Sequence, residues 1–126
     1  MPAILLIGED DFLLETRAAV LRATGADIVR SDVSSALSIL EVRLFDIVVL
    51  CHSIAGHLSE TLAGIIQQNW PGTRILHVCA VREWEETRGA YACSCEPQVL
   101  IACAIELLGR RPVMSVSATD KRAQCA

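Results

Sequence analysis

The stretch that most constrains this chain is Phe45-Asp46-Ile47-Val48-Val49-Leu50-Cys51-His52-Ser53. Ile47 to Leu50 are four consecutive apolar residues, three of them β-branched. Such a run suits a strand buried on both faces. Burial on both faces calls for helices above and below, and so for a parallel sheet. In open parallel sheets the functional edge lies at the carboxyl ends of the strands. This strand delivers Cys51 to that edge.

The rest of the chain alternates in the same sense. Ala3–Ile7 reads as a first buried strand, followed by an acidic turn from Gly8 to Asp11. Asp11 is suited to cap a helix from Phe12 to about Thr24. Phe12, Leu13, Val20 and Ala23 are expected to share its inner face, with Arg17 out of pattern at the apolar edge. Gly25 ends that helix. A second strand spans Ala26–Arg30, and Ser34 or Ser35 caps a second helix to about Arg43. The third strand spans Phe45–Leu50, and a loop from His52 to Leu58 is hinged at Gly56. A third helix covers Ser59–Asn69, with Leu62, Ile65 and Ile66 inward, and Trp70-Pro71-Gly72 stops it. A fourth strand covers Arg74–Cys79, a short charged helix Val81–Arg88 and a fifth strand Gly89–Ser94. Pro97 opens a last helix to Leu108, with Leu100, Ile101, Cys103, Ala104, Leu107 and Leu108 inward.

Five strands alternating with helices, joined by right-handed crossovers, make an α/β fold. The expected architecture is a three-layer, doubly wound parallel five-stranded sheet in the flavodoxin-like order 2-1-3-4-5. One domain is expected over residues 1–109, and residues 110–126 read as a flexible tail because apolar periodicity fails there.

Composition narrows the function classes. The net charge of −4 gives no basis for binding nucleic acid or an anionic membrane surface. The apolar run Ala3–Ile7 is too short for a signal peptide, and nothing is long enough to span a bilayer. A cytoplasmic location is therefore expected. Six cysteines are many for a reducing compartment, and the simplest reading is that they serve as small buried hydrophobes.

The fragments ILLIGEDDFLLETRAAVL, FDIVVLCHSIAG, RILHVCAV and CSCEPQVLIACAIELL, in that order, resemble a response-regulator receiver domain over about Ala3 to Leu108. The resemblance implies a two-component or phosphorelay-type bacterial pathway. It also implies a site of two acidic residues holding Mg²⁺, an Asp accepting a phosphoryl group, a Ser or Thr, and a Lys. A hard cation takes oxygen ligands, and cation plus Lys would stabilise the transferring oxygens.

This sequence departs from that pattern. The phosphoacceptor position maps to Cys51 and the hydroxyl position to Cys79. The Lys position maps to Cys93 counted back from the last helix, or to Glu96 on the Xaa-Pro pair. The acidic pair maps to Gly8 and Glu9 without gaps, or to Glu9 and Asp10 on the Glu-Asp string. Helix capping by Asp10 and Asp11 accounts equally well for those acids. Thiolate is a poor Mg²⁺ ligand, so phosphorylation of the ordinary kind is expected to be absent.

The expectation is a stand-alone, degenerate receiver, not an enzyme, without metal or cofactor. It would act by binding a signalling protein or a second copy of itself. Trp84 and Tyr91, on the face such domains commonly use for partners, are its candidate interface. The alternative is a cysteine-based redox or soft-metal sensor on the same fold, with His52, His77 and Cys95 near the strand-end thiols. There is no Cys-x-x-Cys pair, Cys93 and Cys95 would point to opposite faces of a strand, and nearby acids such as Glu9 would raise a thiol pKa.

Overall fold

A computed structural model describes residues 2–54, 56–79, 85–87, 90–94 and 96–109. Its strands are β1 (Ala3–Ile7), β2 (Asp27–Ser31), β3 (Ile47–Leu50), β4 (Arg74–Cys79), β5 (Glu85–Thr87) and β6 (Ala90–Ser94). Its helices are α1 (Asp11–Leu21), α2 (Val33–Val42), α3 (Gly56–Asn69) and α4 (Pro97–Gly109). The sheet order is β2-β1-β3-β4-β6-β5. The first five in that order are mutually parallel, so the expected order 2-1-3-4-5 is present with β6 as the fifth parallel strand.

The sixth strand corrects the expected helix Val81–Arg88. Glu85–Thr87 runs antiparallel to β6, with Glu85 opposite Ala92 and Thr87 opposite Ala90. The rest of that expected helix lies outside the described residues. Helix propensity in a charged segment competes here with an unpaired sheet edge. Pairing satisfies the backbone of β6, and a short charged strand makes a poor template for a further chain.

Side-chain parity divides the interior into two layers. Ile4 and Leu6 of β1 join Ile47, Val49, Leu76 and Val78 under α1 and α4. Ala3, Leu5 and Ile7 join Val48, Leu50 and Ile75 under α2 and α3. Cys51 continues the parity of Ile47 and Val49 and falls in the α1–α4 layer.

Helix boundaries follow their caps. Asp10, not Asp11, caps α1, and its Oδ1 accepts from the Leu13 N–H at 3.1 Å. A 3₁₀ turn over Arg22–Thr24 ends at Gly25, whose φ of 85° is the left-handed conformation glycine supplies cheaply. Asp32, two or three residues before the expected serines, caps α2 by accepting from the Ser35 N–H at 2.9 Å. The Ser34 hydroxyl and then the Ser35 N–H hold the Asp32 carboxyl below its ordinary pKa. Helix α3 begins at Gly56, within the expected loop.

The inner face of α1 also differs from expectation. Leu14, Arg17, Ala18 and Leu21 are buried, whereas Phe12 is 76% exposed. Positions 14, 17, 18 and 21 are a regular helical stripe that happens to contain an arginine. Residues 110–126, expected as a flexible tail, lie outside the described residues. Among those described, no helix is long and apolar enough to cross a membrane.

Candidate functional site

The carboxyl ends of β1 and β3 are tied into one corner. Cys51 donates its N–H to the Ile7 carbonyl at 3.0 Å, and Gly8 donates to the Ser31 carbonyl at 3.1 Å. The Glu9 N–H donates to Ser53 Oγ at 3.0 Å. Gly8 is what permits this approach. A Cβ there would lie 3.1 Å from Leu14 Cδ2 and 3.2 Å from both Cys51 Cβ and Ser53 Oγ.

The acidic turn is committed elsewhere. Glu9 Oε2 accepts from the Val33 N–H at 2.9 Å, at the amino end of α2. Asp10 caps α1. Both carboxylates sit where the positive end of a helix dipole favours them. Among the described residues, no group of three or more His, Cys, Asp or Glu side chains could hold a metal ion.

Cys51 is 2% exposed. Burial pushes its thiol pKa up, with the nearby Arg17 guanidinium pulling the other way. Arg17 reaches this corner from the buried stripe of α1 and is itself 6% exposed. Its Nη2 lies 3.3 Å from Nδ1 of His52, which is exposed. A guanidinium only donates, so His52 accepts there with its proton on Nε2. Arg17 Nη1 is buried with no hydrogen-bond partner. By sequence Arg17 falls out of pattern at the apolar edge of the helix. The signal that could have found it was a cation on the stripe 14-17-18-21.

Cys93 does not reach Cys51. Leu50 pairs with His77, so Cys51 stands one step on, level with Val78, and Val78 pairs with Cys93. Cys51 and Cys93 are thus two strand spacings apart, roughly 9–10 Å. That exceeds the Cα separation a disulfide spans. Cys93 instead hydrogen-bonds with Cys103 on α4. Burial raises the Cys103 pKa, partly offset by that bond, with Glu106 adding to the rise. Cys79 pairs in register with Ser94. Tyr91, one of the two candidate interface residues, is 5% exposed and packs in the α1–α4 core, because inward parity on β6 outweighs its polar tip. Trp84 and Cys95 lie outside the described residues.

His77 is on the far side of the sheet from Cys51. Its Nδ1 lies 3.4 Å from Ser59 Oγ on α3. Burial lowers its pKa below the ordinary 6.5, and Glu60 opposes that shift. The unfolded chain takes up this proton near 6.5, the folded chain only at lower pH. Between those values unfolding binds protons, so stability falls on acidification. His77→Gln is expected to remove that component, flattening denaturation midpoints measured below pH 6.5. An unchanged slope would show that His77 protonates equally in both states.

No protein-family model and no curated protein sequence matches the chain. Solved structures do. A response regulator from Thermotoga maritima superposes with a TM-score of 0.73 at 15% identity, covering 87% of this chain and 99% of that one. A putative response regulator from Chloroflexus aurantiacus gives 0.71 at 22% identity, covering 87% and 100%. A match in the complex of the histidine kinase ThkA with the response regulator TrrA gives 0.69 at 19%, covering 86% and 99%. With its five parallel strands in the order 2-1-3-4-5, this chain has the CheY-like fold of response-regulator receiver domains.

Proposed function

We propose that the protein is a pseudo-receiver. It acts in a two-component or phosphorelay-type bacterial pathway, in the cytoplasm, by binding a signalling protein or a second copy of itself. It is not an enzyme and transfers no phosphoryl group at the end of β3. One observation carries this reading. The strand end that resembles the phosphoacceptor position holds a buried thiol, while Glu9 and Asp10 are occupied at helix termini. The oxygen ligands a divalent cation requires are therefore not assembled around Cys51. That a receiver-fold regulator is solved with a histidine kinase supports a kinase-type protein as one class of partner.

The cysteine-sensor reading gains little from this geometry. Raised thiol pKa values at Cys51 and Cys103 disfavour the reactive thiolate. The purified protein is expected to carry no stoichiometric zinc by elemental analysis. Mild peroxide is expected to leave its intact mass and oligomeric state unchanged, and the triple variant Cys51→Ala, Cys79→Ala, Cys93→Ala should stay folded. One zinc per chain, or a reversible Cys51–Cys79 or Cys51–Cys93 disulfide on non-reducing mass spectrometry, would transfer the function to the thiols.

A further inference from the structure

The Arg17 corner holds a cation without an anion. Its guanidinium is buried, with Nη1 lacking a hydrogen-bond partner, Nη2 3.3 Å from His52 Nδ1 and a further hydrogen bond to the Cys51 thiol. The adjacent Cys51 is a buried thiol. Two carboxylates of the first turn are held elsewhere, Glu9 by the Val33 N–H and Asp10 by the Leu13 N–H. Gly8 offers no side chain, and its neighbours leave little room for one. The Arg43–Asp27 ion pair lies at the opposite end of the sheet from this corner.

A buried charge is ordinarily paired. Among the described residues no carboxylate partners this guanidinium, which leaves it open to an external anion. The route is short, because His52 is exposed and directly contacts the guanidinium. Displacing that ring would free Nη2, which with Nη1 forms a planar fork of N–H donors matched to two oxygens of one anion. We propose that the Arg17–His52 corner is a binding site for a small oxyanion of the phosphate class, held noncovalently by the Arg17 guanidinium. This goes beyond the pseudo-receiver reading and does not depend on it. The site would be the reverse in sign of a carboxylate-lined cation pocket, at the same sheet edge.

The test is a titration of the 126-residue chain with inorganic phosphate at constant ionic strength, using chloride as the control. Nuclear magnetic resonance should show saturable shifts in the Arg17 side-chain N–H signals and in the backbone amides of Cys51, His52 and Ser53. Arg17→Met should weaken phosphate binding about tenfold or more, the scale of one charge-assisted hydrogen bond. Arg17→Lys, which keeps the charge and loses the fork, should fall between them. Shifts that do not saturate, or that chloride reproduces, would overturn the site in the wild-type protein alone. Equal affinity in wild type and Arg17→Met would overturn it as well.

Discussion

Arg17→Met is expected to stabilise the fold by about 1–3 kcal/mol in anion-free buffer, measured by urea denaturation, as when a poorly compensated buried charge gives way to an apolar side chain of similar length. The side chain lies in the stripe with Leu14, Ala18 and Leu21, so its methylene stem already packs as a hydrophobe would. What the methionine removes is the guanidinium with its unpartnered Nη1. The cost of burying that group is the term being tested. Arg17→Ala is a useful contrast, because it also removes the stem and leaves a cavity, which offsets the gain. A loss of more than about 1 kcal/mol in Arg17→Met, the net worth of an ordinary hydrogen bond, would mean that the guanidinium stabilises the free protein. A residue kept at a cost to stability belongs to function, where such sacrifices concentrate.

Gly8→Ala is expected to destabilise by about 1–3 kcal/mol, the usual cost of overpacking a filled interior. The added methyl would meet Leu14 of α1, Cys51 at the end of β3 and Ser53 in the following loop, all at 3.1–3.2 Å. Relief against one of these drives the methyl toward another, since they come from different elements. Gly64 on the exposed side of α3 provides the control. Nothing lies within 4 Å of a Cβ built there, so Gly64→Ala is expected to gain about 0.5–1 kcal/mol from helix propensity. If Gly8→Ala instead behaves like the control, the β1 and β3 turns are looser than this geometry describes. An acidic side chain at position 8, one of the two registers the sequence allowed, would meet the same crowding.

Most of the architecture was legible because burial and backbone pairing act through short-range patterns. Ile47–Leu50 could be read as a two-sided strand, and β4 spans the residues its apolar run specified, Arg74–Cys79. The last helix buried Leu100, Cys103, Ala104 and Leu107 as its periodicity required. Reading failed where a distant partner decided the outcome. Glu85–Thr87 carries no strand pattern and becomes one because β6 offers an edge. Phe12 looked like the anchor of α1, yet the helix turned Leu14 and Arg17 inward and left the ring outside. Strand-end thiols looked convergent because they share an edge in sequence order. Register and face are tertiary facts, and they place Val78 between Cys51 and Cys93 and put His77 beside α3. The acids of the first turn could be read either as ligands or as caps. The direction of the Glu9 and Asp10 side chains, which only the fold displays, assigns them to helix termini.

This sheet edge is expected to accept no phosphoryl group. The direct measurement is intact mass after incubation of the 126-residue chain with acetyl phosphate and Mg²⁺, with and without hydroxylamine. A buried thiol at the end of β3 and the committed carboxylates of Glu9 and Asp10 predict an unmodified mass under both conditions. A stoichiometric, hydroxylamine-labile phosphoryl adduct would contradict the account.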